Sequence, residues 1–143
     1  HALQRMRAEA LYVGLDRLRW SEDGGSALYC QKHAPQLGPM RVLLPVIRRS
    51  INKRQLMQGT GRHDSSDIED MAIADLNSIA TLIGDRDFLC GEKPSTFDAS
   101  AFASIEATVG FPYDSRTRRF ALQNPVLRSY RERMRAKWWS DLT

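Results

Sequence analysis

The stretch Asp87-Phe88-Leu89-Cys90-Gly91-Glu92-Lys93-Pro94-Ser95-Thr96-Phe97-Asp98-Ala99 decides how this chain is read. Phe88-Leu89-Cys90 has an extended character, and Gly91 and Pro94 break any helix around it. Ser95, followed three residues later by Asp98, is a capping-box pair standing directly before an apolar run, so a helix starts here. Ala101, Phe102, Ile105 and Val109 then recur at helical spacing, and Gly110 closes the run. The pattern predicts a helix over 95–109 with one face in a core. Three extended residues do not make a sheet.

Both flanks agree. Upstream, Ile68, Ala72, Leu76, Ile79 and Ile83 form a stripe that predicts a helix over 66–83. Ser66 with Glu69 reads as its capping box, Asp67 and Asp70 suit the positive end of its dipole, and Gly84 is a stop. Downstream, Asn124 is a good N-cap and Pro125 sits at the favoured first position of a helix over 125–139. Its inward residues are Val126, Leu127, Tyr130, Met134 and Trp138, and residues 115–122 read as a short extra helical turn. Further upstream, Leu43, Ile47 and Ile51 predict a helix over 40–57 that turns Arg48, Arg49, Lys53 and Arg54 the other way. Residues 3–20 form a first helix, apolar through Leu3, Met6, Ala10, Val13 and Gly14, with Leu11, Leu15 and Leu18 extending that sector. Residues 21–39 read as a loop, because Ser21-Glu22-Asp23-Gly24-Gly25, Pro35, Gly38 and Pro39 interrupt the periodicity. The expected fold class is all-α, a compact bundle of five to six helices.

The 143 residues make one domain, with 42% hydrophobic and 27% charged residues. No apolar run approaches the roughly 20 residues of a membrane span. His1-Ala2-Leu3-Gln4-Arg5 lacks the features of a secretory signal and reads as a helix under way, so we expect a longer parent protein. Cys30 and Cys90 are too few for a disulfide framework or a zinc site and are read as reduced thiols of a cytoplasmic protein. Charge alternates along the chain. Residues 1–63 carry eleven Lys/Arg against four Asp/Glu, residues 64–98 two against nine, and residues 99–143 eight against four. Such alternation fits segments packed with complementary charge better than a nucleic-acid face of one sign.

With the helices in this order, Phe88 to Asp98 resembles the glutathione S-transferase pattern F-L-x-G-x-x-P-[ST]-x-x-D, in which the Ser/Thr and Asp cap a buried central helix. Pro125 to Met134 is similar to that family's last long helix. Arg5 to Tyr12 with Arg19-Trp20, and Gln55 to His63, resemble its failed-axon-connections and metaxin-like branch. The resemblance implies a glutathione S-transferase-like C-terminal helical domain over 1–143. In that family a thioredoxin-like N-terminal domain supplies most glutathione contacts, and this chain has no counterpart of it. The resemblance also implies a homodimer and a small hydrophobic or electrophilic substrate, with no metal. Two alternatives stand beside it: a non-enzymatic interaction module on the same fold, and a nucleic-acid binder acting through Arg48, Arg49, Lys53 and Arg54.

Candidate site residues follow. Arg5, Glu9, Tyr12 and Asp16 run at i, i+4, i+7 and i+11 along the first helix, which in the family lines the cleft between domains. Tyr12 would offer a ring and a hydroxyl, Arg5 a guanidinium for an anion. A solvated helix face with an i, i+4 ion pair is the bland alternative. Ser95 and Asp98 are read as a structural capping box. No catalytic residue is assigned, and the chain alone is expected to be inactive. His63 is read as a turn residue, Cys90 as inert, and Cys30, near Lys32 and His33, as the better redox candidate.

Overall fold

The computed structural model describes the backbone of residues 12–138, with side chains other than those at 12, 13, 23, 33–37, 40 and 41. Seven α-helices follow one another among the described residues: α1 (Tyr12–Trp20), α2 (Asp23–Leu37), α3 (Leu44–Gln58), α4 (Ser65–Ile83), α5 (Thr96–Gly110), α6 (Arg116–Gln123) and α7 (Pro125–Trp138). Short 3-10 turns at Gly38–Leu43 and Thr60–Arg62 flank α3. The all-α fold class holds, with one helix more than the upper expectation.

The core is built where the apolar periodicity is cleanest. Leu76 and Ile83 of α4, Ile105 of α5, and Leu127, Tyr130 and Met134 of α7 lose essentially all contact with solvent. Each such side chain contributes roughly 1.5–3 kcal/mol by leaving water. Ala121 of α6 closes one side of this cluster. Between α4 and α5 the chain makes a single bridge, with Phe88 N–H to Gly91 O at 3.0 Å and Gly91 N–H to Phe88 O at 3.1 Å. Gly91 takes φ 122°, open to glycine, and the turn drops Phe88 and Leu89 into the core.

Three expectations are corrected. Residues 21–39 are mostly helix α2, not loop. The glycines that read as breakers serve a close approach: a Cβ on Gly25 would stand 1.6 Å from the Leu18 carbonyl oxygen, so only glycine lets α2 fold back on α1. At α4 the N-cap is Asp64, whose side chain accepts from Asp67 N–H at 2.9 Å, while the Ser66 hydroxyl donates to Asp64. The Ser66–Glu69 box is therefore not used, because an acceptor two residues earlier takes the free amide. The helix expected over 40–57 carries a third correction: Leu43, in the 3-10 turn before α3, is 52% exposed, and the buried residue of α3 is Gln55.

Candidate functional site

Helix α5 anchors the region of interest. Ser95 is its N-cap, and Ser95 and Asp98 close a capping box. The Asp98 carboxylate is fully buried and accepts from Ser95 N–H at 2.8 Å, the Ser95 hydroxyl at 2.7 Å, Leu89 N–H at 2.8 Å and the Tyr130 hydroxyl at 2.9 Å. Burial works to raise its pKa, but the donated hydrogen bonds outweigh burial and hold it below the ordinary carboxylate range. Tyr130 is pushed far up by burial, by its bond to Asp98 and by that residue's charge. A carboxylate this saturated with donors is a joint between elements, with no oxygen left over for chemistry.

Beside this joint an open groove of about 640 Å³ runs between α5 and the α1–α2 pair, a volume suited to a small organic ligand. Arg19, Tyr29 and Lys32 form one wall, and Phe102, Glu106 and Phe111 the other. Ala99, Ala103 and Ala107 leave the space between them open. The wall is aromatic: Tyr29 lies 4.9 Å from Trp20 and 6.5 Å from Phe111 between ring centres, and Phe111 stacks on Tyr113 at 6.4 Å. The Arg19 guanidinium sits 5.6 Å over the Phe111 ring, and its buried Nε has no hydrogen-bond partner among the described residues. Lys32 reaches across the groove to donate to Gly110 O at 3.1 Å. Glu106 is held bidentately by Arg131 at 2.7 and 3.0 Å and meets Arg135 at 3.2 Å. Its charge is neutralised there, so the balance along the groove is positive. The arrangement can take a flat or apolar body against its rings and an acidic oxygen at Arg19 or Lys32.

Of the sequence candidates, Arg5 and Glu9 lie outside the described residues, as does the Tyr12 side chain. Asp16 is 8% exposed and accepts from Arg54 Nη2 at 3.3 Å. Burial raises its pKa against the opposing pull of Arg54 and Arg19. It faces α3 and does not line the groove. Tyr29 and Lys32 went unread as site residues because they fall in α2, taken for loop. Arg19 carried only the family resemblance. His63 ends a 3-10 turn with Nδ1 4.0 Å from Asp67 Oδ2, Cys90 is exposed, and Cys30 lies half-buried in α2. No cluster of three or more His, Cys, Asp or Glu with metal-binding geometry occurs among the described residues, and no described helix is long and apolar enough to cross a membrane.

Comparison with known proteins agrees with this architecture. A family model described as "Glutathione S-transferase, C-terminal domain" matches residues 72–134, a stretch that begins within α4 and ends within α7. The chain is 27% identical over 141 residues to an isoprene-epoxide–glutathione S-transferase of Rhodococcus sp. (strain AD45), covering 96% of this chain and 59% of that relative. It is 33% identical over 60 residues to a metaxin-1 homologue of Caenorhabditis briggsae, covering 42% of this chain and 19% of the relative. The chain thus spans about three-fifths of the first relative's length and far less of the second's. No solved structure matches significantly. The family-model match over 72–134, the relatives and the all-α architecture make this chain similar to a glutathione S-transferase C-terminal helical domain.

Proposed function

We propose that this domain forms the helical wall of an electrophile site in a glutathione-dependent transferase. The groove carries the reading: an aromatic, ligand-sized hollow of positive balance, on a domain whose first relative is named for an epoxide substrate. In this proposal glutathione supplies the sulfur nucleophile and is held mainly by residues beyond this chain. The Arg19 guanidinium on the groove wall is suited to an acidic oxygen of the substrate or of the tripeptide. The described residues contribute binding and orientation, with the rings excluding water from the reacting face. Arg5, Glu9 and Tyr12 belong to the proposal as candidate substrate-binding residues, while Asp16 positions Arg54. Pairing through a second copy and a cytoplasmic setting complete the reading, the latter supported by two free thiols.

The test is a conjugation assay on the full-length protein with small epoxides and with aromatic electrophiles carrying a carboxylate. Arg19→Gln is expected to raise KM about tenfold for the acidic substrates with kcat little changed. Absence of turnover in the parent protein, or an unchanged KM in the variant, would dispose of the proposal. A second reading, an interaction module, is favoured by one observation: the exposed apolar face of α3.

A further inference from the structure

Helix α3 is built inside out. Towards α1 it turns Arg48, Asn52, Arg54 and Gln55: Ser21 Oγ donates to Asn52 Oδ1 at 2.8 Å and to Gln55 Oε1 at 3.2 Å, Arg48 Nη2 donates to Ser21 O at 2.9 Å, and Arg54 meets Asp16. Away from the domain it turns Val46, Leu56 and Met57, which are 66%, 53% and 74% exposed, and Val42 just upstream is 81% exposed. Among the described residues nine large apolar side chains are exposed, and five of them lie between 42 and 57. Arg49 and Lys53 stand on the same outward face, between the two apolar ends, with no hydrogen bond or ion pair to any described residue. From 24 to 63 the sequence has seven Lys/Arg and no Asp or Glu.

We infer that the outward face of α3 is a docking surface for an anionic lipid bilayer. Residues 46, 49, 53 and 56–57 follow helical spacing over roughly 17 Å, with Val42 just before them, so aliphatic and cationic side chains reach outward side by side. An occupant must accept hydrocarbon and place anions within a few ångströms of it, along the whole face. The boundary between lipid headgroups and acyl chains does both, with the long Arg and Lys stems lying along the apolar zone. The face carries no aromatic ring of the kind that anchors most protein–protein contacts. The protein alternative of matching charge is the acidic 64–98 stretch of a second copy. This inference is independent of the groove and of any transferase activity.

Co-sedimentation with vesicles tests it, using equal parts phosphatidylglycerol and phosphatidylcholine against phosphatidylcholine alone. The chain is expected to pellet with the first and not the second, and to release as salt rises. The double variant Arg49→Gln/Lys53→Gln should bind about 25-fold more weakly, from about fivefold per cation. Val46→Ser/Met57→Ser should also lose binding while keeping wild-type helix content by circular dichroism, since both side chains already face water. Lys93→Gln, an exposed cation elsewhere, should bind as the wild type does. Failure to bind anionic vesicles would overturn the inference, as would an equal loss in Lys93→Gln. So would a dimer in size-exclusion chromatography that Val46→Ser/Met57→Ser dissociates in a chain that ignores vesicles.

Discussion

Donors from Leu89, Ser95 and Tyr130 converge on Asp98, so removing that carboxylate strands the Leu89 and Ser95 amides and leaves the Tyr130 hydroxyl only the Asp98 carbonyl oxygen. Asp98→Ala is expected to lower unfolding free energy by on the order of 3 kcal/mol in urea titrations, because buried donors without acceptors lose both water and partner. The pH dependence has a definite sign. A carboxylate with a depressed native pKa stabilises fully above the ordinary carboxylate range and loses that contribution as pH falls through the native value. Asp98→Asn should therefore flatten the acid limb of the stability profile. Asp16 works the other way: its raised pKa favours the folded state below the ordinary range and loses that contribution as pH climbs through the native value. The residue pattern at 95–98 was readable because a capping box is a local interaction over four residues. The Asp98–Tyr130 contact was not, since nothing in a sequence says which core hydroxyl finds a carboxylate 32 residues away.

At the scale of elements, periodicity located α4, α5 and α7 because their stripes face one shared core. It failed at α2 and misjudged α3, each for a physical reason. In α2 the two glycines looked like breakers, yet Gly25 is the point of contact with the Leu18 carbonyl. Gly25→Ala should destabilise by more than the few tenths of a kcal/mol usual for a surface change, since backbone must move, and a lowered thermal midpoint would register it. Gly14, the third residue of α1, is the opposite case: an added Cβ would meet Ala72 and Ile68 at an ordinary 3.5 Å. Gly14→Ala should stabilise by about 0.5–1 kcal/mol through helix propensity, and a fall in the midpoint would contradict this. At α3 the stripe of Leu43, Ile47 and Ile51 misplaced the buried side, because the inward hydrogen-bond partners are the polar groups Ser21 and Asp16. The groove was hidden for the same reason as α2, since Tyr29 and Lys32 of its wall stand on a helix the sequence disguised.

Across the molecule, stability is uneven. Helices α4, α5 and α7 share buried aliphatic side chains, whereas α3 is held by hydrogen bonds at its half-exposed seam with α1. Native-state hydrogen exchange should show amides of α3 opening at lower free energy than those of α5 and α7. Equal protection throughout would mean that the seam is stronger than its contacts suggest.

The joint at Asp98 also bears on the order of assembly. Its bonds to Ser95 and Leu89 span three and nine residues, while its bond to Tyr130 spans 32. Short loops close at small entropic cost, so the turn before α5 can form while the chain is still being made. The last helix then arrives at a receptor already shaped for one phenol, and its registry is set by a single hydroxyl docking between a carboxylate and a carbonyl oxygen.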